Sequence, residues 1–165
     1  MRLVSVYERP DTAKILYDLL CEREPRQNIR HTGMPSFEEH CAFLRSKPYQ
    51  GWYLIDDCGG SIGSVYLSKR DEIGIFIFNG HQGKGWGARA IAELKRLHPR
   101  PRFLANIAIP NAESLAFFTK QGFHLLSITM EFRAITMEFR AGERCSTALP
   151  EIKRMREKSS EPASR

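Results

Sequence analysis

The sequence predicts an α/β domain: a single mixed, mostly antiparallel sheet with helices on both faces. Three observations carry this. Short runs rich in Ile, Val and aromatics, "GWYLID", "SIGSVYLS" and "EIGIFIF", follow one another between residues 51 and 78 with short turns between them. Stretches with helical apolar spacing lie before and after those runs. Beyond residue 78 the order becomes helix, strand, helix, strand, which suits a strand–helix–strand unit added to an antiparallel meander.

Leu3–Tyr7 reads as the first strand. Pro10-Asp11 is a helix start, after which Ile15, Leu16, Leu19 and Leu20 recur at helical spacing. Residues 22–34, "EREPRQNIRHTGM", are polar with Pro25 and Gly33 and read as a loop. Ser36-Phe37-Glu38-Glu39 fits a capping box, and Phe37, Cys41 and Leu44 are expected to share one face of the helix that follows. Asp56–Gly60 is the turn between the next two strands. After the third strand comes "GHQGKGWGARA", residues 80–90, with four glycines in eight positions. Trp86, Ala90, Leu94 and Leu97 mark a helix that stops before Pro99. "RFLANIAI" reads as a further strand, Pro110-Asn111 opens a helix through Phe118, and Gly122 closes it. The chain from Phe123 onward is again strand-like.

Composition narrows the function classes. A chain of 165 residues, 42% apolar, can bury a real core. No apolar run approaches the roughly 18 residues of a membrane span, and the N-terminus lacks the apolar core of a signal peptide, so a cytoplasmic location is expected and no membrane partner. Cys21, Cys41, Cys58 and Cys145 form no close pair, which gives no zinc or redox motif and no metal site. The net charge is +6, and residues 140–165 hold seven Lys/Arg against four Asp/Glu. No aromatics interleave those charges, so a solvated tail is favoured over a nucleic-acid arm. A basic protein associated with nucleic acid stays as an alternative.

Residues 128–141, "ITMEFRAITMEFRA", repeat seven residues without change. Each copy alternates apolar and polar positions, yet seven is odd and a strand's period is two. One unbroken strand would turn the second copy's apolar residues to the other face. The first copy is expected to complete the sheet, with the second as an added edge strand or a segment paired with another subunit, which leaves homodimerisation open. The expected organisation is one domain over 1–141 and a basic tail over 142–165.

A glycine-rich turn between a strand and a helix is an anion site, because free N–H groups and the helix dipole point at the turn. A P-loop would need Lys-Ser/Thr after the last glycine, which is absent. A dinucleotide fold could use Gly85, Gly87 and Ala90, but it would want an acid at the end of the next strand, and "FLANIAI" has none. Gln82-Gly83-Lys84-Gly85-Trp86-Gly87 instead resembles Q/R-x-x-G-x-G/A, the acyl-CoA pyrophosphate loop of the GNAT superfamily of N-acetyltransferases. "ANIAIPNAESLAFFTKQGF" is similar to the family's next segment, with Asn111, Ser114 and Gly122-Phe123 at fitting distances. The resemblance covers about residues 3–130.

What the resemblance implies is a GNAT-like fold and transfer of an acetyl group from acetyl-CoA, as co-substrate, to a primary amine of a small-molecule or peptide acceptor. The backbone of Gln82, Gly83, Lys84, Gly85, Trp86 and Gly87 would hold the pyrophosphate, and the pantetheine arm would run along Ile75–Phe78. A backbone N–H near Phe76, Ile77 or Phe78 would stabilise the oxyanion. Asn111, Ser114 and Phe118 would contact the cofactor, although Asn111 equally suits an N-cap. Glu72, ten residues before Gln82, stands where similar members carry a glutamate that takes the amine proton, and its neighbour Asp71 should face the other way. The family often has a tyrosine general acid where this chain has Phe118, which cannot donate a proton; Tyr66, Ser114 or water could substitute. That departure motivates a second alternative, a non-catalytic acyl-CoA-binding sensor. Arg23, Arg26, Asn28, Arg30 and His31 fall where the family walls its acceptor cleft and would suit an acidic metabolite.

Overall fold

In the computed structural model, residues 1–23 and 33–127 are described. The elements belong to one compact unit, Met1–Leu126. The repeat at 128–141, the tail at 142–165 with its domain boundary, and Arg26, Asn28, Arg30 and His31 lie outside the described residues.

Among the described residues, four strands form one antiparallel sheet in chain order: β1 (Arg2–Ser5), β2 (Gly51–Asp57), β3 (Gly60–Leu67) and β4 (Ile73–Ile77). The β2–β3 hairpin turns through Cys58-Gly59, and its register places Trp52 opposite Tyr66 and Leu54 opposite Ser64. β4 continues the meander with Tyr66 opposite Gly74 and Ser64 opposite Phe76. The helices that cover the sheet are α1 (Thr12–Cys21), α2 (Phe37–Arg45), α3 (Trp86–Leu97) and α4 (Ala112–Lys120).

The strand period of two divides the core. Val6, Leu16, Leu19, Trp52 and Leu54 form one cluster with Tyr49, Tyr66, Phe76 and Phe78 packed on it. Ile55, Val65, Leu67, Ile73, Ala90, Ile91, Leu94 and Phe118 form the other, joined by Ile75, Ile77 and Phe117. Alternate residues of β4 thus face α1 on one side and α3 and α4 on the other, as the expected helices on both faces require.

The Ser36–Glu39 capping box is complete: Ser36 Oγ accepts from the Glu39 N–H at 3.2 Å and Glu39 Oε2 accepts from the Ser36 N–H at 2.7 Å. The expected face of α2 is the one turned inward: Phe37 lies edge-on to Tyr17 and Leu44 packs on the core. Its most buried residue is the polar His40, only 4% exposed, while Phe37 stays 45% exposed. The His40 Nε2 lies 3.1 Å from the Ala13 carbonyl of α1, and the His40 ring sits against Tyr17. A hydrogen bond across the helix pair lets a histidine take the most buried place on that face, which apolar spacing alone does not register.

The parallel component of the sheet is smaller than expected. Residues 102–109 do not form a strand; they make one parallel bridge, Glu72 with Leu104, in which the Ile73 N–H donates to Leu104 and the Leu104 N–H to Asp71. Phe103, Ala105 and Ile107 still alternate into the core. Beyond the bridge, Asn106–Ala108 and Ile75–Ile77 line a common cavity, which takes the place of the ladder. Residues 123–127 carry no strand pairing.

Burial holds the His40 pKa below its ordinary value, with the Ala13 carbonyl pulling weakly the other way. The folded protein therefore binds fewer protons than the unfolded chain once the pH falls through the ordinary histidine value of about 6.5. Stability should be full above that pH and decline below it. Urea midpoints measured from pH 7.5 downward should fall on acidification, and His40→Gln should flatten that fall; an equal slope in the variant would remove His40 as a source.

Candidate active site

The cavity beside β4 has a volume of about 620 Å³ and is lined from α1, β3, β4, the glycine loop, α3, residues 106–108 and α4. Its back wall is the outer edge of β4. The Phe78 N–H donates inward to Ile62, and the Ile73 N–H donates outward to Leu104. Antiparallel alternation then turns the N–H groups of Phe76 and Phe78 toward β3 and those of Ile75 and Ile77 outward. Of the three residues read as candidate oxyanion donors, Ile77 alone presents its N–H to the cavity side.

At the end of β4 the chain makes one 3-10 turn, Asn79–His81, and enters the loop. Gln82 Nε2 donates to the Ile77 carbonyl and to Asn79 Oδ1, both at 3.0 Å, and Lys84 Nζ donates to the Gly80 carbonyl at 2.8 Å. These two side chains brace the loop. Gly83 and Gly85 have φ of +72° and +78°, a region that favours glycine, and a Cβ on either would meet nothing within 4 Å. Gly87 differs: a Cβ there would lie 3.1 Å from the Phe117 ring, so α3 and α4 pack closely through it.

Gly85 is also the N-cap of α3, and it has no side chain with which to cap. The first turn of α3 holds no acidic residue, whereas α2 carries a capping box and α4 has Asn111 and Glu113. The first N–H groups of α3, from Trp86 to Ala88, open on a bare loop at the positive end of the helix dipole. An uncapped helix start of this kind suits an anion, and these residues would fit a pyrophosphate.

Glu72 sits just before β4. Its Oε1 accepts from Asn106 Nδ2 at 2.7 Å and its Oε2 from Ser68 Oγ at 3.2 Å, so both oxygens are oriented by neutral donors. Asp71, with φ of +65°, is turned away and pairs with Arg100. Asn111 is the N-cap of α4, its Oδ1 accepting from the Ser114 N–H at 3.0 Å; both residues also line the cavity. Phe118 is 6% exposed and sits edge-on to Phe117 and Phe123 in the core. Its ring reaches the cavity only as part of the floor. Among the described residues, no cluster of His, Cys, Asp or Glu is placed to hold a metal.

Tyr66 and Gly74 add a wall, with Tyr49 stacked on Tyr66, whose parts are scattered in the sequence. The Tyr49 and Tyr66 rings stack at 4.0 Å with planes 13° apart. The Tyr66 ring crosses directly over Gly74, where a Cβ would stand 2.0 Å from its Cζ. A lone glycine inside a strand signals such a close approach, and that was the one available sequence cue. Arg23, at the end of α1, lays its guanidinium 4.3 Å from the centroid of the Phe76 ring. Burial pushes the Tyr66 phenol pKa up, and nearby Arg23 pulls it down.

This combination is an open strand edge running into a glycine turn and an uncapped helix N-terminus. A family model for the acetyltransferase (GNAT) family matches residues 13–123, and the chain belongs to that family. Solved structures share the fold. An acetyltransferase from Thermus thermophilus superposes with a TM-score of 0.59 at 20% identity, covering 74% of this chain and 86% of its own. The aminoglycoside 6'-N-acetyltransferase of Acinetobacter haemolyticus gives 0.63 at 15%, covering 82% and 99%. A putative acetyltransferase from Salmonella typhimurium, solved with its cofactor acetyl-CoA, gives 0.54 at 17%, covering 74% and 77%. A search of curated proteins returned no match. Among the described residues no helix is long and apolar enough to cross a membrane.

Gly74→Ala should drive the Tyr66 ring off the strand, because a 2.0 Å contact cannot be absorbed by small shifts. We expect a stability loss of about 1–3 kcal/mol in denaturant titration. A loss well under 1 kcal/mol would mean that Tyr66 is free to move aside.

Proposed function

We propose that the chain is an N-acetyltransferase that moves the acetyl group of acetyl-CoA to a primary amine of a small-molecule or peptide acceptor. One observation carries this reading: the outward N–H groups of Ile75 and Ile77 lead straight into the uncapped N-terminus of α3 within one cavity. A strand edge suits an amide-bearing arm, and a helix N-terminus suits its phosphates.

Acetyl-CoA, when bound, supplies an acyl group activated as a thioester. The backbone of Gly83–Ala88 would hold the pyrophosphate, with Gln82 and Lys84 keeping the loop in shape rather than touching the phosphates. Asn111 and Ser114 flank the arm. Glu72, fixed by Ser68 and Asn106, takes the proton from the acceptor ammonium, directly or through a water, so that the free amine can attack. The Ile77 N–H offers a donor to the carbonyl oxygen as negative charge grows on it. No hydroxyl is needed at Phe118. A thiol with a pKa of about 8.5 leaves as a thiolate near neutral pH for only about 1.4 kcal/mol per unit of mismatch.

A non-catalytic acyl-CoA-binding role would rest on that same Phe118, which occupies a core position without a proton to give. CoA release during a screen of amines, amino sugars and peptides separates the two readings.

Gly85→Val should weaken acetyl-CoA binding by at least tenfold in calorimetry while circular dichroism stays native, since the substitution strains a left-handed residue and puts a side chain at the cradle. Unchanged affinity in the folded variant would sink the pyrophosphate assignment. Glu72→Gln should lower kcat about 10²-fold near neutral pH, with partial recovery as rising pH deprotonates the amine in solution, and acetyl-CoA affinity should hold. Equal rate profiles for variant and wild type would exclude Glu72 as the base.

A further inference from the structure

The direction in which Glu72 presents its carboxylate depends on the residue before it. Asp71, in the turn between β3 and β4, has φ of +65°. Aspartate enters this left-handed region more readily than most residues, but the region still strains any L residue. Extended backbone at Asp71 would swing the chain after it and turn the Glu72 side chain away from Ser68 and Asn106, its present partners. Whatever holds Asp71 in the left-handed region therefore also aims Glu72.

The backbone of the turn has local partners. The Asp71 N–H donates to the Ser68 carbonyl at 3.2 Å, and the Leu104 N–H donates to the Asp71 carbonyl at 2.9 Å. Ser68 Oγ accepts from the Arg70 and Glu72 N–H groups, both at 3.1 Å. The Asp71 side chain is held from much farther off, by Arg100, which lies beyond the end of α3 with its side chain only 14% exposed. Arg100 is itself fixed by other segments. Its Nε donates to the His98 carbonyl and its Nη1 to Gln50 Oε1, both at 3.3 Å, and its guanidinium lies 5.6 Å from the centroid of the Phe103 ring. A guanidinium tied in this way is a fixed post, so Asp71 must come to it.

We propose that Arg100 is a positioning residue for Glu72: by pinning Asp71 in the left-handed region, it turns the Glu72 carboxylate toward Ser68 and toward Asn106, which lines the cavity. The catalytic part of this inference rests on the proposed role of Glu72 as base. Arginine suits the task because a charge-assisted hydrogen bond to a carboxylate is stronger than a neutral one, and the partial burial of the pair screens it less than an exposed pair. The ion pair also engages the carboxylate next to Glu72, so the two neighbouring acids are set to different tasks. Asp71 anchors the turn and Glu72 faces Asn106. Arg100 touches neither the cavity lining at Asn106 nor Glu72 in any of these contacts, and it acts through Asp71.

The test uses the full-length protein and two readouts. The first needs no ligand: the side-chain amide signals of Asn106 in the ¹⁵N-labelled protein report its bond to Glu72. Glu72→Gln should shift these signals, Arg100→Met should shift them in the same direction, and Arg100→Lys, which keeps a charge but not the fork, should shift them less. The second readout is the rate with acetyl-CoA and an accepted amine. Arg100→Met should lower kcat about tenfold or more, with KM for acetyl-CoA nearly unchanged. Added to Glu72→Gln, the same substitution should lower kcat by less than about twofold, because the group it aims is already gone. A merely structural role would cost the same in both backgrounds. Asp71→Asn keeps a residue that tolerates the left-handed region and removes the charge Arg100 holds; it should reproduce Arg100→Met, and it decides the matter where Arg100→Met fails to fold. Unmoved Asn106 signals in a folded variant, or an equal loss of kcat in both backgrounds, would overturn the inference and leave acetyl transfer standing. Full kcat in Glu72→Gln would instead overturn the base assignment, and the Asn106 signals alone would then decide whether Arg100 aims Glu72.

Discussion

Among the described residues, β4 has a strand neighbour on one side only. On the other, its backbone is bridged at Leu104 and held by Gln82 at the far end, and between those points the N–H groups of Ile75 and Ile77 meet no strand among the described residues. An unpaired strand edge on an open surface recruits other chains. Here it forms the wall of a cavity, walled opposite by Asn106–Ala108 and the start of α4. The edge is thus kept available to a narrow extended ligand and screened from a second strand. The rest of the arrangement answers to this constraint. The loop must turn away at once after Phe78, and α3 must begin at the end of the strand with its N–H groups exposed.

The glycines that serve this layout do so for different physical reasons. Gly83 and Gly85 supply backbone angles that other residues adopt only with strain. Gly87 supplies room for the Phe117 ring, and Gly74 supplies room for the Tyr66 ring. Two of the four permit a turn and two permit contact. Gly80 has open space around it and no positive φ, so neither reason applies. A glycine-rich stretch read only as a ligand cradle would merge these roles. The substitutions separate them: strain at Gly85 acts on the loop, and crowding at Gly74 or Gly87 acts on helix and strand packing.

Much of this was legible in the sequence because it is local. The capping box at Ser36, the β2–β3 hairpin, the start of α3 after the glycines and the Gly122 closure each depend on residues within one turn of one another. The strand–loop–helix motif was legible for the same reason. What failed to show depended on distant partners. His40 is buried because Ala13 on another helix offers it a carbonyl. Residues 102–109 have strand composition and keep strand alternation, yet a cavity intervenes where the ladder would run. The Tyr49–Tyr66–Gly74 wall joins three segments. Which of Phe76, Ile77 and Phe78 turns its N–H outward depends on the register with β3, which composition cannot fix.

The two faces of β4 explain how one strand can serve two ligands in the proposed reaction. Ile73, Ile75 and Ile77 send their side chains into the core beneath α3 and α4, so that face is closed and apolar. Gly74 and Phe76 lie toward α1, where Tyr66 and Arg23 also line the cavity. The backbone donors belong to the edge between the faces, and they come from the residues whose side chains are buried. In the proposed reaction a ligand on the edge would therefore compete with no side chain. The period of two would then set an acyl arm on the edge beside an acceptor on the face, with Glu72 just before the strand. Phe118 packs among Phe117 and Phe123 in the closed face and also lines the cavity.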